Sequence, residues 1–219
     1  MNIIVCGDSH TRVFSYCNKQ QKEFKFNVCE VGGATAQGAV NPNSKTNALG
    51  IFSTKLKNTP KADKILIMLG EVDCGFVIWV RSKRYNISVD EQLQLSIRNL
   101  TQFIENIVTS YGYESNDIII AGVIIPTIKD NVNQKYLNGA RKEVDVSQLI
   151  RTEKTLEYNC QLQEMCSIHG YNYIDITEDL MNEEGLINEK YLSENHTDHH
   201  LSNPKTFQFW INKLKSLWF

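Results

Sequence analysis

The chain has 219 residues, with 23 Lys and Arg against 25 Asp and Glu, a formal net charge of −2. That balance supplies no basic surface of the kind nucleic acid requires, so no nucleic-acid partner is expected. A hydrophobic content of 42% with 22% charged residues suits one folded α/β domain over residues 1–219 with an ample core. The longest apolar stretch, Ile118 to Ile125, is too short to cross a bilayer. Met1-Asn2 leads into only a strand-length apolar run without a basic flank, so no targeting segment is expected. The six cysteines show no Cys-x-x-Cys spacing, which favours free thiols in a reducing cytoplasm over zinc or disulfides.

The first apolar run, Asn2-Ile3-Ile4-Val5, reads as a strand that stops at Gly7-Asp8-Ser9-His10. A strand ending in such a turn sets the serine hydroxyl at the carboxyl end of a sheet, where ligands bind in open α/β folds. Thr11 to Gln20 is a helix, and Phe26 to Val31 a second strand closed by the glycine-rich turn Gly32-Gly33-Ala34-Thr35. Turns of this kind offer backbone N–H groups to an anion or a developing oxyanion. A short helix over Ala48–Leu56 is followed by a third strand, Lys64–Leu69, ending at Gly70-Glu71-Val72-Asp73. Three successive strands with their marked turns at one edge require a parallel sheet with helical crossovers.

Phe76 to Tyr85 mixes aromatics with Arg81, Lys83 and Arg84. It reads either as a sugar- or carboxylate-facing segment at the site mouth or as an ordinary helix with its apolar residues inward. Ser88 and Glu91 have capping-box spacing, and Leu93, Ile97, Leu100, Ile104 and Ile107 keep a helical period towards Gly112. Ile118–Ile124 reads as a buried fourth strand. Residues 127–149 form a long polar connection, the pattern of a lid or binding loop. A helix from Thr152 to His169, a strand over Tyr171–Asp175 and a terminal helix from Asn203-Pro204 complete the chain. Phe207, Ile211, Leu214 and Trp218 are its expected buried stripe.

Before that last helix stands Asn195-His196-Thr197-Asp198-His199-His200-Leu201-Ser202. A nucleophilic serine needs a histidine within hydrogen-bond reach and a carboxylate to orient it, and one loop here offers both.

In these motifs the sequence resembles the SGNH (GDSL-type) hydrolase superfamily, over essentially its whole length. Gly7-Asp8-Ser9 matches the first block, Gly33 the second-block glycine, Gly70-Glu71-Val72-Asp73 the third block, and His200-Leu201-Ser202 the fifth. The resemblance implies a three-layer αβα sandwich around a five-stranded, mostly parallel sheet of flavodoxin-like type. It implies Ser9 as nucleophile, His200 as base, Asp198 as its partner, and the N–H groups of Ser9 and Gly33 as the oxyanion hole. Asp8, His10, Glu71, Asp73, Arg81 and His199 are then possible lining residues, with no metal and no cofactor. Two positions depart from the pattern: Val72 replaces the third-block Asn, and Asp198 stands two residues before His200 instead of three.

The function implied is acyl-ester hydrolysis on an O-acylated carbohydrate or another small ester. Alternatives are a glycan O-acyltransferase using the same site, an impaired binding module on the same fold, or a metal-dependent phosphoesterase suggested by Asp8-x-His10 and Glu71. The oligomeric state is not encoded in any motif.

Overall fold

The computed structural model describes residues 1–219 except Gln134, Tyr136, Asn138, His196 and Phe219, and for Ala140 the backbone alone. Among the described residues the centre is a five-stranded sheet in the order β2-β1-β3-β4-β5, every pairing parallel. The strands are β1 (Asn2–Gly7), β2 (Lys25–Glu30), β3 (Lys64–Met68), β4 (Ile118–Ala121) and β5 (Asn172–Ile174). The expected three-layer α/β architecture is the observed one.

Strand side chains alternate between two cores, as a period of two dictates. Ile4, Cys6, Ile65, Ile67, Ile118 and Ile120 face one layer, built from α2 (Ala48–Asn58), α4 (Val89–Phe103) and α5 (Gln148–His169). Ile3, Val5, Leu66, Met68, Ile119 and Ala121 face the other, built from α1 (Arg12–Gln20), the short α6 (Thr177–Leu180) and α7 (Asn203–Lys215). No described helix is long and apolar enough to cross a membrane.

Four details differ from the sequence reading. The fourth strand stops at Ala121: the Gly122 N–H still donates to Ile174 O, and the Asn159 side chain of α5 then takes over the Val123 groups, accepting from Val123 N and donating to Val123 O. Helix α5 begins at Gln148, four residues before Thr152, because Ser147 caps it and Asp130 accepts the Gln148 N–H at 2.6 Å. The capping box at Ser88 and Glu91 is present, but the helix passes through a π-helical turn over Ile104–Val108 before Gly112 closes it. In α7 the buried residues are Thr206, Trp210, Ile211 and Leu214, whereas Phe207 and Trp218 are half-buried at its flank.

The turn-bearing ends of β1, β2 and β3 lie at one edge of the parallel sheet. Gly7 is required there: a Cβ would sit 2.1 Å from the Met68 carbonyl oxygen, so only glycine lets β1 and β3 run this close at the site. After β3 the chain turns at Gly70 and enters helical structure, a π-helical turn over Asp73–Val77 continued by α3 (Ile78–Tyr85). Phe76 to Tyr85 is therefore helical. Ile78 is buried, Phe76 and Trp79 are half-buried, and Lys83 and Arg84 are exposed.

Candidate active site

Two short turns build the centre. After β1, the Asp8 Oδ1 oxygen accepts the His10 backbone N–H at 2.9 Å and the His10 ring Nδ1–H at 3.0 Å. Before α7, Asp198 Oδ1 accepts the His200 backbone N–H at 3.0 Å and the ring Nδ1–H at 2.6 Å. The two-residue step between acid and histidine is thus long enough, because one carboxylate oxygen serves both the backbone and the ring. The missing residue in the Asp198–His200 spacing costs the pair nothing in contact.

The turns then reach across to each other. The Ser9 hydroxyl lies 2.7 Å from His200 Nε2, so with Nδ1 protonated by its carboxylate contact Nε2 accepts the serine proton. In return, His10 Nε2–H donates to the backbone oxygen of His199 at 3.2 Å. The three rings of His10, His199 and His200 pack together, His199 and His200 with centroids 4.0 Å apart. The nearest side-chain nitrogens of the three rings fall within 4.8 Å of one another, and both ring nitrogens of His10 are hydrogen-bonded to oxygen acceptors. His196, the remaining histidine of the loop, lies outside the described residues.

Charge is distributed unevenly. Burial alone would push His10 down, but Glu71 and Asp8 beside it raise it to about 9. Burial likewise opposes ionisation of Glu71, and Arg141 and His10 outweigh it, lowering the carboxyl to about 2. Arg141 holds Glu71 through two hydrogen bonds, of 3.2 and 2.9 Å, with its guanidinium 4.7 Å from the centre of the Phe76 ring. Burial lowers His199 to about 4. Burial and the charge of His10 also lower His200, against the opposing pull of Asp198.

Asp73 is fully buried and does not face the serine. Its two oxygens accept the Ala36 and Gln37 backbone N–H groups at 2.7 and 3.1 Å, clasping the loop that carries Gly33. Burial pushes Asp73 up to about 6, against the pull of those N–H groups. Gly33 itself is exposed, at φ +73°, a conformation that glycine adopts freely. No acceptor among the described residues takes the N–H of Ser9 or of Gly33. Val72, at the third-block Asn position, is buried and offers no donor.

Arg81 does not join the cluster; it donates to Gln37 Oε1 behind the Gly33 loop. Arg84 pairs with Glu143 at 3.5 Å on the surface. A cation that does reach the cluster, Arg141, comes from the 127–149 connection, and Arg12 lines a cavity beside Ser9. No local pattern marks Arg141, since its partner Glu71 lies 70 residues away. That cavity, of about 160 Å³, has Val13, Met68, Ile124, Leu201 and Trp210 in its walls.

No protein-family model matches the sequence, and no curated protein matches it. Solved structures do. One is a GDSL-like lipase from Bacteroides thetaiotaomicron, 11% identical, with 99% of this chain and 86% of that one aligned at a TM-score of 0.59. This chain has the GDSL-hydrolase fold. An acetyl xylan esterase, 12% identical, aligns over 100% of both chains at a TM-score of 0.59. The lipase/acylhydrolase from Enterococcus faecalis, 15% identical, covers 99% of this chain and 96% of its own at a TM-score of 0.55. In the GDSL fold of this chain, Ser9 follows the first strand and His200 precedes the last helix.

Proposed function

We propose that the protein is a serine hydrolase of SGNH type that cleaves small carboxylic esters through an acyl-enzyme. The observation that carries this reading is the continuous hydrogen-bonded line from the Ser9 hydroxyl through His200 to Asp198, at 2.7 and 2.6 Å. His200 Nε2 takes the Ser9 proton as the Ser9 Oγ bonds to the ester carbonyl carbon. The oxygen that becomes negative is received by the N–H groups of Ser9 and Gly33. His200 then gives its proton to the departing alcohol. In the second half, His200 deprotonates a water whose oxygen attacks the acyl carbon, and Ser9 leaves with the proton.

Val72 removes one donor from that hole, which in serine hydrolases costs on the order of a hundred- to a thousand-fold in rate. A slow enzyme towards simple esters is therefore expected, with binding energy from the rest of the substrate making up the difference. The cavity beside Ser9 has room for a short acyl group, and O-acylated carbohydrates fit that requirement. An acceptor sugar in place of water would make the same site a glycan O-acyltransferase. The fold likeness to an acetyl xylan esterase supports acylated glycans as the first substrates to try.

A fluorophosphonate probe tests the reading. The wild type should be labelled on Ser9, located by peptide mass, and Ser9→Ala should not. Absence of label on intact, folded wild type would sink the hydrolase reading and leave a binding module on the same fold.

A further inference from the structure

The acyl-transfer steps use Ser9, His200 and Asp198, and leave the most buried histidine of the cluster without a role. His10 is hydrogen-bonded at both ring nitrogens, and both partners only accept. Nδ1 meets the Asp8 carboxylate at 3.0 Å and Nε2 meets the His199 carbonyl oxygen at 3.2 Å. A ring placed between two acceptors carries both protons and is a cation. A second carboxylate, Glu71, stands 3.8 Å from Nδ1, and Arg141 holds both oxygens of Glu71. The charges alternate along Asp8, His10, Glu71 and Arg141, so the cation is housed without a net excess.

That cation lies against the base, the His10 and His200 ring centroids being 4.8 Å apart. A like charge at this distance, shielded from water, opposes protonation of the second ring. The other groups facing His200 come from four places. Asp198 and His199 lie on its own loop, Ser9 on the turn after β1, and Glu71 at the end of β3. Arg12 of α1 acts on Asp198 from outside. Asp198 and Glu71 favour a charged His200, while His10 and burial oppose it, and the opposition is the stronger.

We propose that His10 is a positioning residue: held as a permanent imidazolium by Asp8, Glu71 and the His199 carbonyl, it keeps His200 unprotonated, and Ser9 activated, in mildly acid solution. The role in activating Ser9 rests on the serine-hydrolase reading; the charge state of the two rings does not.

Imidazole nitrogen NMR on the wild type and on His10→Gln and His10→Lys therefore provides the first test. In the wild type His10 should hold both protons at pH 7.5, with His200 neutral there. His10→Gln should raise the His200 midpoint by about one pH unit, the size expected for loss of a like charge at close range. His10→Lys, which keeps the charge, should leave it near the wild-type value. A neutral His10 at pH 7.5 in the wild type overturns the proposal even if both variants fail to fold, and so does an unchanged His200 midpoint in folded His10→Gln. The second test is the rate of fluorophosphonate labelling against pH. Its acid limb should move up by the same unit in His10→Gln, a loss of roughly five- to tenfold one unit below the wild-type midpoint. A labelled Ser9 whose acid limb stays in place refutes the proposal alone. An unlabelled Ser9 with the expected NMR result refutes the hydrolase reading and upholds the charge assignment.

Discussion

Asp8-Ser9-His10 and Asp198-His199-His200 are the same local device in two places. In each, one aspartate oxygen accepts the backbone N–H and the ring Nδ1–H of the histidine two residues on. What separates them is the partner that each turn lends the other. His10 receives a backbone carbonyl, an obligate acceptor, and a second carboxylate nearby. His200 receives a serine hydroxyl, which can donate. In the roles proposed above, an identical acid–histidine pair is a fixed cation in one setting and the base in the other. The short motif sets the tautomer; the group opposite Nε2 sets the chemistry.

The most severe way to break the comparison is to remove the hydroxyl. Ser9→Ala should reduce ester turnover on the order of 10⁴-fold or more, measured with acetylated substrates, with folding intact by circular dichroism. Next in size is exchange of the two acids. Asp198→Asn should cost about 10²- to 10⁴-fold in kcat/KM at the pH optimum, because the amide presents the wrong partner to His200 Nδ1. Asp8→Asn should instead change the pH range and the stability, with a rate loss at the optimum of less than about tenfold, since it acts on His200 only through His10. Equal losses in kcat/KM would show that the two turns do not have separate roles.

Stability sharpens the same contrast. Arg141→Ala takes two hydrogen bonds from the buried Glu71 carboxylate and leaves His10 as its remaining cation. A loss of about 2 kcal/mol in urea unfolding is expected, below the value for a wholly unpaired buried charge. Because the His10 value in the folded chain is raised to about 9, its contribution is complete below the ordinary histidine range and fades as pH climbs through 9. The wild type should therefore lose up to about 3 kcal/mol between pH 6.5 and 9 that His10→Gln does not lose. Glu71, lowered to about 2, has the opposite sign: its contribution is present above the ordinary carboxylate range and is lost as pH falls towards 2. The smallest effect is at Gly33. A Cβ there meets nothing nearer than Thr46 Cγ2 at 3.9 Å, so Gly33→Ala should cost only the left-handed backbone, about 1 kcal/mol in thermal unfolding.

Much of this is legible in the chain, and the limits have physical causes. The apolar runs around Ile4, Leu66 and Ile119 mark strands in their correct order, because a parallel sheet buries both faces of its central strands. The strand end at Ala121 is not legible, because the chain just beyond it is held by Asn159, which lies 36 residues from the Val123 groups it captures. The early start of α5 depends in the same way on Asp130, 18 residues before Gln148. Arg81 and Arg141 look alike in sequence. One meets Gln37 and the other Glu71, a choice made by the path of the 127–149 connection across the site.

By itself the sequence determined the layered α/β fold, the strand-end turns, and the candidates from which the proposed site is drawn: Ser9, Gly33, Asp198 and His200, with Asp8, His10, Glu71, Asp73, Arg81 and His199 as possible lining. Those features depend on hydrophobic period, turn chemistry and residue type, all of which are local. Only the tertiary structure decided that Asp198 reaches His200 across a shortened step, that Asp73 clasps the Gly33 loop, and that His10 faces two acceptors while His200 faces a hydroxyl. Charge state and hydrogen-bond role belong to the partner across the gap, and that partner arrives from the other end of the chain.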